Sequence, residues 1–80
     1  MHEMSVVGHL FEIITDYVAE YELEEINRVV VRVGKLTCIE ESAFQFAFDV
    51  CAEGTAAEEA ELVINRVKGD ELLLDKLEGS

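Results

Sequence analysis

The sequence holds no proline, no apolar run long enough to cross a bilayer, and only six lysines and arginines against eighteen aspartates and glutamates. Each shortage excludes something. Without proline, glycine is the only strong helix breaker left, so element ends have to be read from glycine and from charge. A membrane-spanning helix needs about 20 predominantly apolar residues, and no stretch supplies them. The opening residues are acidic and amphipathic, with no basic cluster ahead of them, unlike a secretory signal; the expected location is cytoplasmic. A net charge of −12 argues against nucleic acid and against an anionic membrane surface, since phosphate binding needs clustered Lys and Arg. A cationic partner or a metal ion is compatible with that charge.

Cysteine is scarce too. Cys38 and Cys51 form no C-x-x-C pair, so neither a disulfide framework nor a zinc-site spacing can be read from them. Cys51 shares a helical face with Phe44 and Phe48 and is predicted to be a buried free thiol; Cys38 is given no role. Catalytic signatures are missing as well. There is no glycine-rich phosphate loop and no nucleophile elbow. The acidic pairs Glu24-Glu25, Glu40-Glu41 and Glu58-Glu59 are chain neighbours whose side chains point apart, which makes them poor acid–base partners. An enzyme is not expected.

What is present is enough apolar residue for one small domain: half of 80 residues are hydrophobic, which sets a limited core. Val7, Leu10, Phe11, Ile14 and Val18 recur at three- and four-residue spacing and predict a helix over Glu3–Tyr21. Val6, Ile13 and Tyr17 widen its apolar stripe, while Ser5, His9, Glu12 and Asp16 fall on the wet side. Glu22 to Glu25 is an acidic connection. Period-two alternation of β-branched residues predicts a strand over Val29–Leu36, with Val29, Val31 and Val33 on one face and Arg28, Val30 and Arg32 on the other. A second helix runs over Glu40–Glu53, with Ala43, Phe44, Ala47, Phe48 and Cys51 as its core stripe, and stops at Gly54. Leu62–Val67 and Leu72–Leu77 are further strands. Lys68-Gly69-Asp70 between them predicts a tight turn with glycine at positive φ, and hence an antiparallel hairpin.

The predicted order is therefore α-β-α-β-β, an α+β domain with two helices packed on one face of a three-stranded mixed sheet. The opposite sheet face is expected to carry Arg28, Arg32 and Arg66. The chain contains no internal repeat and no low-complexity segment.

The opening Met1-His2-Glu3-Met4-Ser5 carries the sharpest chemistry. The α-amine of Met1, the His2 amide nitrogen and the His2 imidazole can close two fused chelate rings around one ion. The Glu3 amide, the Glu3 carboxylate or an outside ligand would fill the fourth position. In-plane nitrogen ligands suit Ni(II) or Cu(II). The bland reading is a solvated histidine near a terminus. Glu3 also has two readings, as a ligand or as a carboxylate at the helix start, where the macrodipole favours it. His9 lies two helical turns from His2, about 10 Å along the axis, too far for one ion, and reads as a surface residue. Met4 reads as a helix-start hydrophobe or a soft ligand.

Several stretches line up with one family. Met1-His2-Glu3-Met4-Ser5 resembles the opening of the HypA/HybF hydrogenase nickel-incorporation proteins. Val29-Val30-Val31-Arg32-Val33-Gly34-Lys35-Leu36 resembles that family's first strand, and Glu41-Ser42-Ala43-Phe44-Gln45-Phe46-Ala47-Phe48 its second helix. Gly54-Thr55, then Ala60-Glu61-Leu62-Val63-Ile64, and finally Gly69-Asp70-Glu71-Leu72 follow in family order. Each piece alone is weak; the combination is specific.

The resemblance implies a cytoplasmic nickel metallochaperone, with Met1, His2 and Glu3 as the metal residues and Ni(II) as the ion delivered. The implied partners are a HypB-type GTPase and the [NiFe]-hydrogenase large subunit; some members also serve urease, which adds urease maturation factors. One departure is large. The family carries a zinc domain built on two C-x-x-C pairs between its second and third strands, and here a turn at 68–70 stands in its place. The domain is expected to be absent over 1–80, either by excision or as a natural minimal form, and no structural zinc is expected. A short hairpin in place of a domain would favour strand exchange between chains, which makes a homodimer one expected arrangement. The rival function is a metal-independent docking domain for a maturation GTPase or hydrogenase subunit, using the wet face with His9, Glu12 and Asp16.

Overall fold

The computed structural model describes residues 3–80. The elements are α1 (Glu3–Glu20), β1 (Ile26–Gly34), a 3-10 turn at Lys35–Thr37, α2 (Glu41–Ala52), β2 (Glu61–Val67) and β3 (Leu72–Gly79). Order, layers and mixed sheet are those predicted from the sequence. β1 begins and ends earlier than expected, because its last two predicted residues wind into the 3-10 turn. No helix among the described residues is long and apolar enough to cross a membrane.

The core forms where the helix stripes meet the valine face of β1. Val29, Val31 and Val33 are fully buried, together with Val7, Leu10 and Ile14 of α1 and Phe44 and Phe48 of α2. The rings of Phe11 and Phe48 meet with centroids 5.1 Å apart, joining the two helices. Three expectations on the helices need correcting. Ile13 and Tyr17 do not widen the buried stripe; they are 45% and 41% exposed, because they lie on the flank of α1 over the sheet's edge. Cys51 is half-buried rather than buried, a free thiol whose Sγ sits 4.0 Å from Met4 Sδ. Ala52, outside the predicted stripe, takes the buried position at the end of α2.

Both helices end for local reasons. α2 starts at Glu40, whose carboxylate accepts from the amides of Ser42 (3.2 Å) and Ala43 (2.8 Å) and from the Ser42 hydroxyl. These amides have no intrahelical acceptor, and the carboxylate satisfies them. Gly54 follows α2 at φ +74°. α1 has no glycine to stop it. Leu23 N donates to Val18 O at 3.0 Å, closing a Schellman-type cap with Glu22 at φ +52° in the left-handed position.

The expected β2–β3 hairpin is not formed. The sheet order is β2-β1-β3, with β2 parallel to β1 and β3 antiparallel to it. β1 takes the middle because its inner face is the most apolar, while Leu72, Leu74 and Leu77 of β3 and the apolar residues of β2 are only half-buried at the edges. The 68–70 turn, with Gly69 at φ +104°, crosses the end of β1 instead of joining neighbours. Leu36 N donates to Gly69 O at 2.9 Å and Gly34 N donates to Glu71 O at 2.7 Å, tying the crossing in place.

The uncovered sheet face carries Arg28 between Glu61 (3.0 Å) and Glu78 (3.5 Å), one on each flanking strand, and Arg32 against Asp75. Arg66 is not on this face. It aligns with inward-facing Val33, and its guanidinium donates to Ile39 O at 2.6 Å and pairs with Glu41 at 3.5 Å.

Candidate metal centre

α1 presents its first turn to the start of α2. Glu3 Oε2 accepts a hydrogen bond from the Glu40 amide at 3.3 Å. Its own backbone amide, and then that of Glu40, hold the Glu3 carboxyl below the usual carboxylate range. Of the two readings of Glu3, the helix-start role is realised in the geometry. The carboxylate is ionised where the amide dipoles favour negative charge. Glu3 is half-buried at this junction.

Met1 and His2 lie outside the described residues, so the chelate expected from them has no geometry to report. The other soft and basic groups fall as follows. Met4 is 47% exposed and faces Cys51. His9 is exposed, with Nδ1 3.5 Å from Glu12 Oε2, as a surface histidine should be. Cys38 is exposed and its φ of +57° caps the 3-10 turn. Among the described residues no three of His, Cys, Asp and Glu converge as a metal site.

The Glu40 carboxyl also lies below its ordinary range, chiefly through the Ser42 hydroxyl and then the Ala43 and Ser42 amides. Two carboxylates thus anchor adjoining helix starts. The role of Glu40 was not visible in the sequence, where Glu40-Glu41 looked like solvated surface; Ser42 two residues on was the available signal.

Comparison with known proteins places the chain in a family. Residues 1–73 match the family described as hydrogenase/urease nickel incorporation, metallochaperone, hypA. The chain belongs to the HypA family. The hydrogenase maturation factor HypA of Aquifex aeolicus is 41% identical over 64 residues, covering 80% of this chain and 56% of that protein. The HypA of Desulfitobacterium hafniense strain DCB-2 is 42% identical over 71 residues, covering 86% and 62%. The solution structure of the Ni metallochaperone HypA from Helicobacter pylori superposes with a TM-score of 0.75 at 26% identity, covering 95% of this chain and 72% of that one. The chain spans about three-fifths of the length of these curated relatives. The family is described as one of metallochaperones.

Proposed function

We propose that this chain binds Ni(II) through Met1, His2 and Glu3 and hands it on for [NiFe]-hydrogenase maturation. The observation that carries the reading is that the family match begins at residue 1, immediately before a helix start whose Glu3 is pinned to α2. First-turn amides have no intrahelical acceptor, so one can give up its proton to a metal without breaking the helix ladder. Deprotonated nitrogens and the Glu3 carboxylate offset the positive end of the dipole. Binding then releases protons and weakens as pH falls. The α-amine and imidazole ordinarily protonate near about pH 8 and 6.5, so affinity drops across that interval, which favours release at an acidifying target site.

The partners proposed are a HypB-type GTPase and the hydrogenase large subunit, with urease maturation factors as a second client. With no C-x-x-C pair in the sequence, the zinc domain is proposed to be missing from 1–80 and structural zinc with it.

Titration calorimetry with optical absorption tests this on the native N-terminus, on His2→Ala and on an N-terminally extended form. One-to-one binding with a planar d–d band, lost in both variants, is the expected result. Equal weak binding in all three would overturn it and leave metal-independent docking as the activity. Nickel affinity unchanged between mildly acidic and mildly basic pH would remove the proton-linked release.

A further inference from the structure

The C-terminal half of α1 leaves apolar surface uncovered. Ile13, Tyr17 and Tyr21 follow one another at four-residue steps and are 45%, 41% and 63% exposed. Tyr17 and Tyr21 stack, with centroids 5.9 Å apart and planes 12° off parallel. Opposite them Leu74 and Leu77 of β3 are only half-buried. Between the tyrosines, Leu23 and these leucines lies an open groove of about 440 Å³. Tyrosine is enriched among interface anchors, and contiguous exposed apolar surface marks interaction sites.

The charge around this groove is one-sided. Glu20, Glu22, Glu24 and Glu25 are exposed and sit at the negative end of the α1 dipole, where acids are disfavoured. The last turn of α1 contains no basic residue, and none of these four pairs with a cation among the described residues. Four of the six cations are spent elsewhere: Arg28, Arg32 and Lys76 hold acids on the sheet, and Arg66 holds Glu41 of α2. A positively charged occupant would relieve this end of the helix; a second copy, itself at −12, would aggravate it.

The mode of docking follows from β3. The register between Val30 and Val31 shifts on β3 from Lys76 to Leu74, so Asp75 is bulged. A bulge twists an edge strand away from further pairing, which disfavours strand addition and leaves side-chain anchoring in the groove. We infer that the α1–β3 groove docks an amphipathic helix of a partner protein, with two apolar side chains one turn apart seated against Tyr17, Tyr21, Leu74 and Leu77 and Lys or Arg facing the Glu20–Glu25 segment. The groove lies at the far end of α1 from Glu3, about 25 Å along the axis, so this docking does not depend on the nickel reading.

Three synthetic probes of about 14 residues test it: a Leu/Lys amphipathic helix, the same helix with Glu in place of Lys, and the Leu/Lys peptide scrambled to destroy helical periodicity. The Leu/Lys helix is expected to bind and to shift the amides of Tyr17, Tyr21, Leu23, Leu74 and Leu77, while the other two do not. Replacing both anchors (Tyr17→Ser with Tyr21→Ser) weakens binding by about tenfold or more. Removing charge without touching the apolar surface (Glu20→Gln with Glu24→Gln) also weakens it, whereas Glu58→Gln with Glu59→Gln, on an acidic segment elsewhere, leaves it within about twofold. Equal binding of the scrambled peptide, shifts spread over the acidic surface, or equal losses in the two charge variants would reduce the effect to unspecific attraction and overturn the proposal. So would a concentration-dependent dimer in sedimentation that Tyr17→Ser abolishes, which would make a second copy the occupant.

Discussion

A side chain at Gly34 would begin inside the peptide group of Gly69, whose carbonyl oxygen and carbon, followed by the Asp70 nitrogen, crowd the position a Cβ would take. Gly34 ends the central strand and Gly69 lies in the connection that crosses it, so the contact is backbone on backbone and cannot yield by rotating a side chain. Gly34→Ala is expected to cost about 1–3 kcal/mol, the range for overpacking, seen as a lower urea midpoint. Gly69 itself, at φ +104°, has open space where its Cβ would go, so any loss on Gly69→Ala measures conformational strain alone.

Acid should loosen the junction of the two helices. Glu3 and Glu40 have folded-state pKa values below the ordinary ones, so their stabilisation is fully present above the unfolded value and is lost as pH falls through the lowered folded values. The urea midpoint of the native chain is therefore expected to fall with acidification from just above the ordinary glutamate pKa downward. Glu40→Gln and Glu3→Gln should each start lower at neutral pH and show a shallower acid limb. Identical limbs in all three proteins would show that these carboxylates are not linked to folding.

Glu22 is expected to be a place where the chain can be improved. It holds φ +52° at the cap of α1, in a region that costs a non-glycine residue about 1–2 kcal/mol. Glu22→Gly removes that strain and one acid from the negative helix end. The midpoint of urea unfolding should rise, by an amount equivalent to about 0.5–1 kcal/mol.

Phe48 is one of the two largest fully buried side chains of the core. It is 1% exposed and meets Phe11 across the helix interface. Phe48→Ala is expected to lose about 3–5 kcal/mol, a large part of the stability of about 4–12 kcal/mol that a chain this long can have. Dispersed amide resonances should collapse or be lost at ambient temperature. Phe46→Ala, at an exposed position 66% open to solvent, should leave the spectrum intact.

The elements were legible because their signals are local. Val29, Val31 and Val33 alternate in the sequence, and all three are fully buried; the helix stripes likewise predicted Leu10, Ile14, Phe44 and Phe48. The strand order was not legible. A Lys-Gly-Asp turn has the same composition whether it joins neighbours or crosses a third strand, and only the competition of three strands for the central position decides. Arg66 was misplaced for the same reason, since its face depends on the parallel register with Val33. At the candidate site, the sequence left Glu3 between a ligand and a helix-start carboxylate; the amide it accepts from lies 37 residues away, beyond any periodicity. Tyr17 was counted as core because its spacing fits the stripe; spacing cannot say that the stripe overhangs a sheet only three strands wide.

The crossing at residues 68–70 also decides what an insertion there can do. Asp70 shares one small recess with Val6, His9 and Leu10 of α1, so the crossover opens beside the early turns of that helix. Both neighbouring registers of β1 are set by residues outside the crossover, and lengthening it need not disturb either. The junction is a socket: a module spliced into it would arrive next to the early turns of α1 by chain connectivity alone.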